Sequence, residues 1–132
     1  MTSIELRTAD DRVVCERCRV ASSPFARMRG LLGRRGLESG EGLLLRPASS
    51  IHTFFMRFAI DVVFVSRHGE VLKVAKRVPA WRTVACRGAK AVVELPAGEA
   101  GRRGVRVGTW FDMAAWGTRR RGPAAGLPPV SA

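Results

Sequence analysis

Apolar residues along this chain fall in short runs, and glycine, proline and charged residues separate the runs. Alternation of apolar and polar positions predicts strands at 3–7 and 12–20, joined by a polar turn at 8–11. Further β-rich runs predict strands at 42–46, 51–56, 61–66, 70–78, 91–95 and 109–113. Short strands with frequent turn signals indicate a mainly β fold, either a β-sandwich or an irregular barrel of about seven or eight strands.

One helix is predicted in the N-terminal half of the chain. The segment 22–24, Ser-Ser-Pro, supplies an N-cap and a proline suited to the first helical turn. Phe25, Met28 and Leu31 then recur at helical spacing on one side. Arg29 in this helix has two interpretations: a solvated arginine, or a side chain turned inward to hold an anion or a carboxylate.

Two further signals concern the turns and the domain boundary. Gly69 stands between two β-rich runs and predicts a hairpin, and residues 96–104 predict a short polar helix or turn. From residue 117 onward the composition shifts to glycine, proline, alanine and arginine. We therefore expect a single β domain over residues 1–116 and a mobile basic tail over residues 117–132.

The stretch 51–66 concentrates apolar bulk together with three versatile polar side chains, His52, Arg57 and Asp61. It is predicted to form two neighbouring strands around a bend at 57–59, with both faces covered. In a structural interpretation, His52 bonds to the backbone, while Asp61 accepts backbone N–H bonds across the bend and pairs with Arg57. In a functional interpretation, Arg29, His52, Arg57 and Asp61 line a polar patch that binds a ligand or a partner.

The charge balance suggests a second kind of partner. The chain of 132 residues has 23 basic and 11 acidic residues, a net charge of +12, and only three of the basic residues are lysines. Such a surface attracts nucleic acid and other anionic polymers without a specific site. However, an arginine excess is also what a GC-rich genome produces, and no aromatic residues alternate with the arginines as they would on a single-strand binding face. Nonspecific binding of anionic polymers is therefore the alternative function.

Location is predicted from the same sequence. No apolar run approaches the roughly 18 residues that a membrane span needs. The N-terminal residues include Glu5 and Asp10 and lack an apolar signal region. We therefore expect a cytoplasmic protein without a membrane span.

Three cysteines, Cys15, Cys18 and Cys86, cannot all pair within one chain. Cys15 and Cys18 form a Cys-x-x-Cys pair on a predicted strand, where an odd spacing points two side chains to opposite faces. The sequence therefore predicts small apolar residues in a sheet, with no metal site and no cofactor.

Motifs for catalysis are also absent from the sequence. Ser49 and Ser50 precede His52, but neighbours in an extended segment do not face one another. The sequence has no glycine-rich phosphate loop and no paired-carboxylate motif. No catalytic residue is assigned, and an enzyme is the third alternative.

A series of short motifs follows one another in a recognisable order: Arg29-Gly30-Leu31, Gly42-Leu43-Leu44-Leu45, Ile51-His52-Thr53, Met56-Arg57-Phe58, Ile60-Asp61-Val62-Val63-Phe64, Gly69 before Val71, and Val93-Glu94-Leu95. On these motifs the sequence resembles the bacterial and archaeal family called domain of unknown function 192. The resemblance implies a small, mainly β domain and no established activity. The chain departs from the family pattern at Gly108-Thr109, where Gly-Asp is usual.

Overall fold

The computed structural model of the protein describes residues 2–22 and 34–116. In these ranges the chain forms nine strands and one short helix. The strands are β1 (Ser3–Thr8), β2 (Val13–Ala21), β3 (Glu41–Leu45), β4 (Ser50–His52), β5 (Ile60–Val65), β6 (Val71–Val78), β7 (Thr83–Ala85), β8 (Ala91–Pro96) and β9 (Phe111–Asp112), and the helix is α1 (Glu99–Arg102). The predicted mainly β fold is confirmed.

Seven strands form one sheet in the order β6-β5-β8-β3-β2-β1-β9, and β4 pairs with β7 in a separate ribbon. The β2–β3 pair is parallel and the other pairs are antiparallel. The sheet curls into a half-barrel, because Glu70 beside β6 bridges Trp110 beside β9. The hairpin at Gly69 is confirmed, with φ at 103°.

Each face of the sheet buries its own cluster of apolar side chains. Alternate residues of the central strands, such as Val63 and Val93, lie inside the curl with Phe111 and Trp116. Their neighbours, such as Phe64 and Val92, pack on the other face beneath β4 and the loops around it. Covering both faces explains why β5 and β8 are apolar almost throughout.

The expectation that Cys15 and Cys18 face opposite sides of β2 is wrong. Cys15 lies opposite Leu6 and Cys18 lies opposite Ile4. A three-residue advance along β2 therefore pairs with a two-residue advance along β1. This β-bulge leaves the intervening residues 16 and 17 exposed and turns both thiols into the core. A hydrogen bond with Cys15, together with burial, raises the pKa of the Cys18 thiol well above its ordinary value. Both cysteines therefore act as small apolar residues of the core.

The predicted pairing of 51–56 with 61–66 is also wrong. β4 ends at His52 and pairs with β7, whereas β5 pairs with β6 and β8. Residues 53–59 follow an irregular path, in which Phe55 takes a φ of 68°. The strand pattern is interrupted there, and Phe54 and Phe55 reach solvent instead of a covered face.

Some predictions fall on residues outside the described ranges: the helix predicted after Pro24, Arg29, and the tail at 117–132. Within the described ranges, no helix is long and apolar enough to cross a membrane.

Candidate functional site

An exposed group of aromatic rings stands out on the β4–β7 side of the molecule. Phe54, Phe55 and Trp81 are 38%, 61% and 56% exposed. Phe54 stacks between His52 and Trp81, with ring centroids 4.6 Å and 5.7 Å away, and Phe55 meets Trp81 edge-on at 4.7 Å. We call these four residues, His52, Phe54, Phe55 and Trp81, the aromatic surface.

Two members of the aromatic surface are held in an unfavourable backbone conformation. Phe55 and Trp81 have φ values of 68° and 66°, in the left-handed region that bulky side chains rarely enter. Such a conformation costs on the order of 1–2 kcal/mol per residue unless the surroundings impose it. In both cases the strained residue presents its ring to solvent, where burial gives little compensation.

Thr53 imposes this conformation by joining the two loops that bear the rings. Its side chain is fully buried; the hydroxyl donates to the carbonyl of Pro79 at 2.7 Å and accepts from the amide of Arg82 at 2.9 Å. Its backbone N–H donates to the Arg82 carbonyl at 2.8 Å, and its own carbonyl accepts from the Trp81 amide at 3.0 Å. The aromatic rings therefore project from a hydrogen-bonded platform.

His52 lies at the inner border of the aromatic surface. It is half-buried, and its Nδ1 accepts a hydrogen bond from the Phe54 backbone N–H at 3.3 Å. An accepting Nδ1 assigns the neutral ring's proton to Nε2. The imidazole is thus oriented by the backbone and by stacking on Phe54.

The surroundings of the aromatic surface are basic. Arg57 and Arg82 are exposed, and neither forms an ion pair with any residue in the described ranges. The segments 46–60 and 71–93, which contain β4, β7 and their loops, include no acidic residue. A partner meeting the rings would therefore also meet uncompensated positive charge.

Asp61 lies in the interior rather than on this surface. Its carboxylate is fully buried and accepts three backbone N–H bonds: from Arg77 at 2.9 Å on Oδ1, and from Gly98 at 3.0 Å and Ala100 at 2.9 Å on Oδ2. These bonds attach β6 and the start of α1 to β5. Among the described residues, Asp61 forms no ion pair with Arg57. The structure thus places His52 near the aromatic rings and keeps Asp61 apart from them.

A second buried acid, Glu99, belongs to a structural network. Its carboxylate bonds to the Ser39 hydroxyl at 2.8 Å and to Arg102 and Arg103. Burial alone would raise the pKa of Glu99, but the hydrogen bonds from Arg102 and Ser39 and the charge of Arg103 outweigh it and lower the pKa. Within residues 2–22 and 34–116, no group of three His, Cys, Asp or Glu side chains is arranged to hold a metal ion.

The sequence did not single out Phe54, Phe55 and Trp81 as functional residues. Adjacent phenylalanines in a predicted strand indicate core packing, and Trp81 suggests a buried anchor for its loop. Positive φ at a bulky residue has no local sequence signal, since it is imposed here by Thr53 contacts with a loop 26 residues later.

The fold and this surface define a small, mainly β half-barrel that displays an exposed aromatic cluster. The chain belongs to the family called domain of unknown function 192, described as "Uncharacterized ACR", which it matches over residues 5–113. The expected family membership is thereby confirmed. The chain is also similar to a UPF0127 protein of Thermococcus sibiricus, with 36% identity over 87 residues, or 62% of this chain. That match spans 56% of the relative's length, so the chain corresponds to little more than half of it.

Two solved structures share the fold. A Sinorhizobium meliloti protein described as a candidate transcription regulator has a TM-score of 0.70 at 22% identity, covering 83% of this chain and 90% of that one. A Novosphingobium aromaticivorans protein of unknown function also has a TM-score of 0.70, at 20% identity and 83% coverage of both chains. At these identities the likeness shows the fold alone.

Proposed function

We propose that this protein is a binding module whose aromatic surface receives an acidic protein segment carrying apolar side chains. The single observation that supports this proposal is the display of Phe55 and Trp81 in solvent at positive φ. Strained residues persist where the surroundings over-determine them, and they concentrate at binding sites. The proposal retains His52 and Arg57 as site residues and gives Asp61 a supporting role; the contribution of Arg29 stays a prediction.

The chemistry of the partner follows from the surface. Tryptophan, other aromatic residues and arginine dominate the binding energy of protein interfaces. Here three exposed rings stand beside Arg57 and Arg82 without a nearby acid in sequence. Apolar side chains of the partner would cover the rings, while its carboxylates would pair with the two guanidinium groups.

Selection from a random peptide library tests the proposal. We expect selected peptides to combine acidic and apolar residues, and the double change Phe55→Gly with Trp81→Gly to abolish their binding. Glycine accepts positive φ, so the double variant should stay folded. Val107→Ala is the matched control, because Val107 is 65% exposed and lies outside the aromatic surface. Selection of peptides without acidic residues, or equal binding by the double variant, would refute the proposal.

A second candidate function is nonspecific nucleic-acid binding, which the net charge of +12 favours. The description of the S. meliloti protein as a candidate transcription regulator also points in this direction. Titration of a labelled DNA duplex at several salt concentrations tests it. Binding should weaken steeply as salt rises and should be unchanged by Phe55→Gly, since phosphate contacts carry the affinity. Absence of binding at low salt would eliminate this function. A cytoplasmic location stays a prediction from the sequence.

A further inference from the structure

A cavity of about 750 Å³ opens at one end of the half-barrel, apart from the aromatic surface. Its walls come from strand ends that meet there: the start of β1, the ends of β2, β3 and β5, and the start of β8. β2 and β3 are parallel and β8 runs antiparallel to both β3 and β5, so the topology brings these ends together. The cavity is thus a consequence of the strand order.

Positive charge is concentrated on the walls of this cavity. Arg46, Arg67 and Lys90 line it, and none of its described lining residues is acidic. In the described part of the chain, no carboxylate forms an ion pair with any of the three. Backbone bonds hold Lys90 in place, since its N–H donates to Val65 at 2.8 Å and its carbonyl accepts from Ala48 at 3.0 Å. Three cations therefore line one concave site, with no acidic partner among residues 2–22 and 34–116.

The same cavity has an apolar wall centred on Trp116. Val20, Ala91 and Met113 also line it, and Trp116 packs on Phe111 with ring centroids 5.9 Å apart. Trp116 is only 1% exposed, and its indole N–H finds no acceptor among the described residues. A buried donor without an acceptor is unfavourable, because it has lost its hydrogen bonds to water.

Arg46 joins the charged and apolar parts of the cavity. Its guanidinium carbon lies 5.9 Å from the centroid of the Trp116 ring, in a cation–π contact. Arg46 is half-buried, so its charge is partly removed from water, and this burial lowers the pKa of the guanidinium. A partly desolvated cation beside apolar side chains, two of which (Val20 and Met113) are partly exposed, is stabilised by a ligand that has an anionic head and an apolar body.

We propose that this cavity binds a small amphipathic anion, with its charged oxygens between Arg46, Arg67 and Lys90 and its apolar portion against the wall that Val20, Met113 and Trp116 form. The volume is in the range of small-molecule sites, which are mostly apolar with a few convergent polar groups. A carboxylate and a phosphate ester share the required head-group chemistry. The proposal is independent of the aromatic surface, because the cavity and the aromatic rings share no residue.

NMR titration of the full chain with chemically matched probes tests the inference. The probes are octanoate, octyl phosphate, neutral octanol and inorganic phosphate, each kept below any micelle concentration. Trp81→Phe and Trp110→Phe assign the Trp116 indole signal by elimination. We expect at least one of the two amphipathic anions to shift the Trp116 indole signal. Comparison of the two tells whether the site prefers a carboxylate or a phosphate head.

Charge variants then test the assigned cations. Arg46→Gln combined with Lys90→Gln should weaken binding of the anion at least roughly tenfold. Should that variant fold poorly, Arg67→Gln with Lys90→Gln replaces it, because both side chains are exposed. Arg106→Gln is the matched control, an exposed arginine outside the cavity that should leave binding unchanged.

Four results would overturn the inference. If octanol binds as tightly as the anions, the positive charges do not contribute to binding. If inorganic phosphate binds as tightly as octyl phosphate, the apolar wall does not contribute. The third is a Trp116 signal that no anion shifts, and the fourth is a shift that persists unchanged in the charge variants.

Discussion

Asp61→Asn separates a structural role of this carboxylate from a binding role. The asparagine has nearly the same shape, but its amide nitrogen takes the place of one carboxylate oxygen and cannot accept hydrogen bonds there. At Oδ1 the nitrogen replaces the acceptor of the Arg77 N–H, and at Oδ2 it replaces the acceptor of the Gly98 and Ala100 N–H groups. Hydrogen bonds to charged groups contribute about 1.5–3 kcal/mol each. Losing at least one of these bonds and the charge that strengthens the others, partly offset by no longer burying a charge, should lower the free energy of unfolding by about 3 kcal/mol.

That loss is large compared with the free energy of unfolding of a typical domain, about 5–15 kcal/mol. For a chain of this size it should lower Tm by about 10–15 °C. Urea denaturation and calorimetry measure the two quantities, and hydrogen exchange should speed up either at the Arg77 amide or at the Gly98 and Ala100 amides, depending on which N–H groups face the new NH2 group. Asp11→Asn is the control: Asp11 is 83% exposed in its side chain, and its φ of 70° suits asparagine, so the change should stay within about 0.5 kcal/mol. A free energy of unfolding within about 1 kcal/mol of the unchanged protein for Asp61→Asn, with normal exchange at the Arg77, Gly98 and Ala100 amides, would refute this reasoning.

Three further predictions concern the sheet and its network. The lowered pKa of Glu99 means that its carboxylate stabilises the fold above the ordinary pKa of 4.5, and that this contribution is lost as pH falls through the folded-state pKa. The free energy of unfolding, measured with denaturant, should therefore fall less steeply between about pH 7 and about pH 3 for Glu99→Gln than for the unchanged protein. Equal slopes would contradict this role of the Glu99 carboxylate. Gly42→Ala should destabilise the protein by about 1–3 kcal/mol, because the added Cβ would meet a core sulfur at 2.8 Å and a backbone oxygen at 3.0 Å. Gly101→Ala in α1 meets nothing within 4 Å and should be neutral or stabilising in the same thermal melt, so a comparable loss there would show that the close contacts are not the cause. A thiol reagent should label one cysteine quickly in the folded protein, Cys86, and the other two only after denaturation; rapid labelling of all three would show that the two core thiols are accessible.

The sequence was sufficient to predict most of the strands of the main sheet. Strands such as β2 and β5 have patterns that local residue types determine, and Gly69 marks a turn by its own conformational freedom. The short strands β4 and β7 were harder, because three residues carry little periodicity and their partners lie about thirty residues apart. The bulge that turns Cys15 and Cys18 inward depends on registry with β1, which the pattern of β2 alone does not contain.

The candidate site was predictable only in part. The sequence drew attention to His52, which belongs to the aromatic surface, and it allowed for Asp61 as an acceptor of backbone N–H bonds. The donors at Gly98 and Ala100 are 37 and 39 residues away, so no local motif indicated them. The exposure of Phe54 and Phe55 likewise depends on tertiary contacts of Thr53 rather than on hydrophobic pattern.

The position of β1 also bears on how the protein is made. This first strand lies between β2 and β9, and Arg7 pairs with Asp112 near the far end of the described chain. During synthesis, one side of β1 can be matched early, while the other side waits until residue 112 has left the ribosome. Completion of the sheet is therefore a late event, and nascent chains truncated before that point should leave the outer side of β1 available to chaperones.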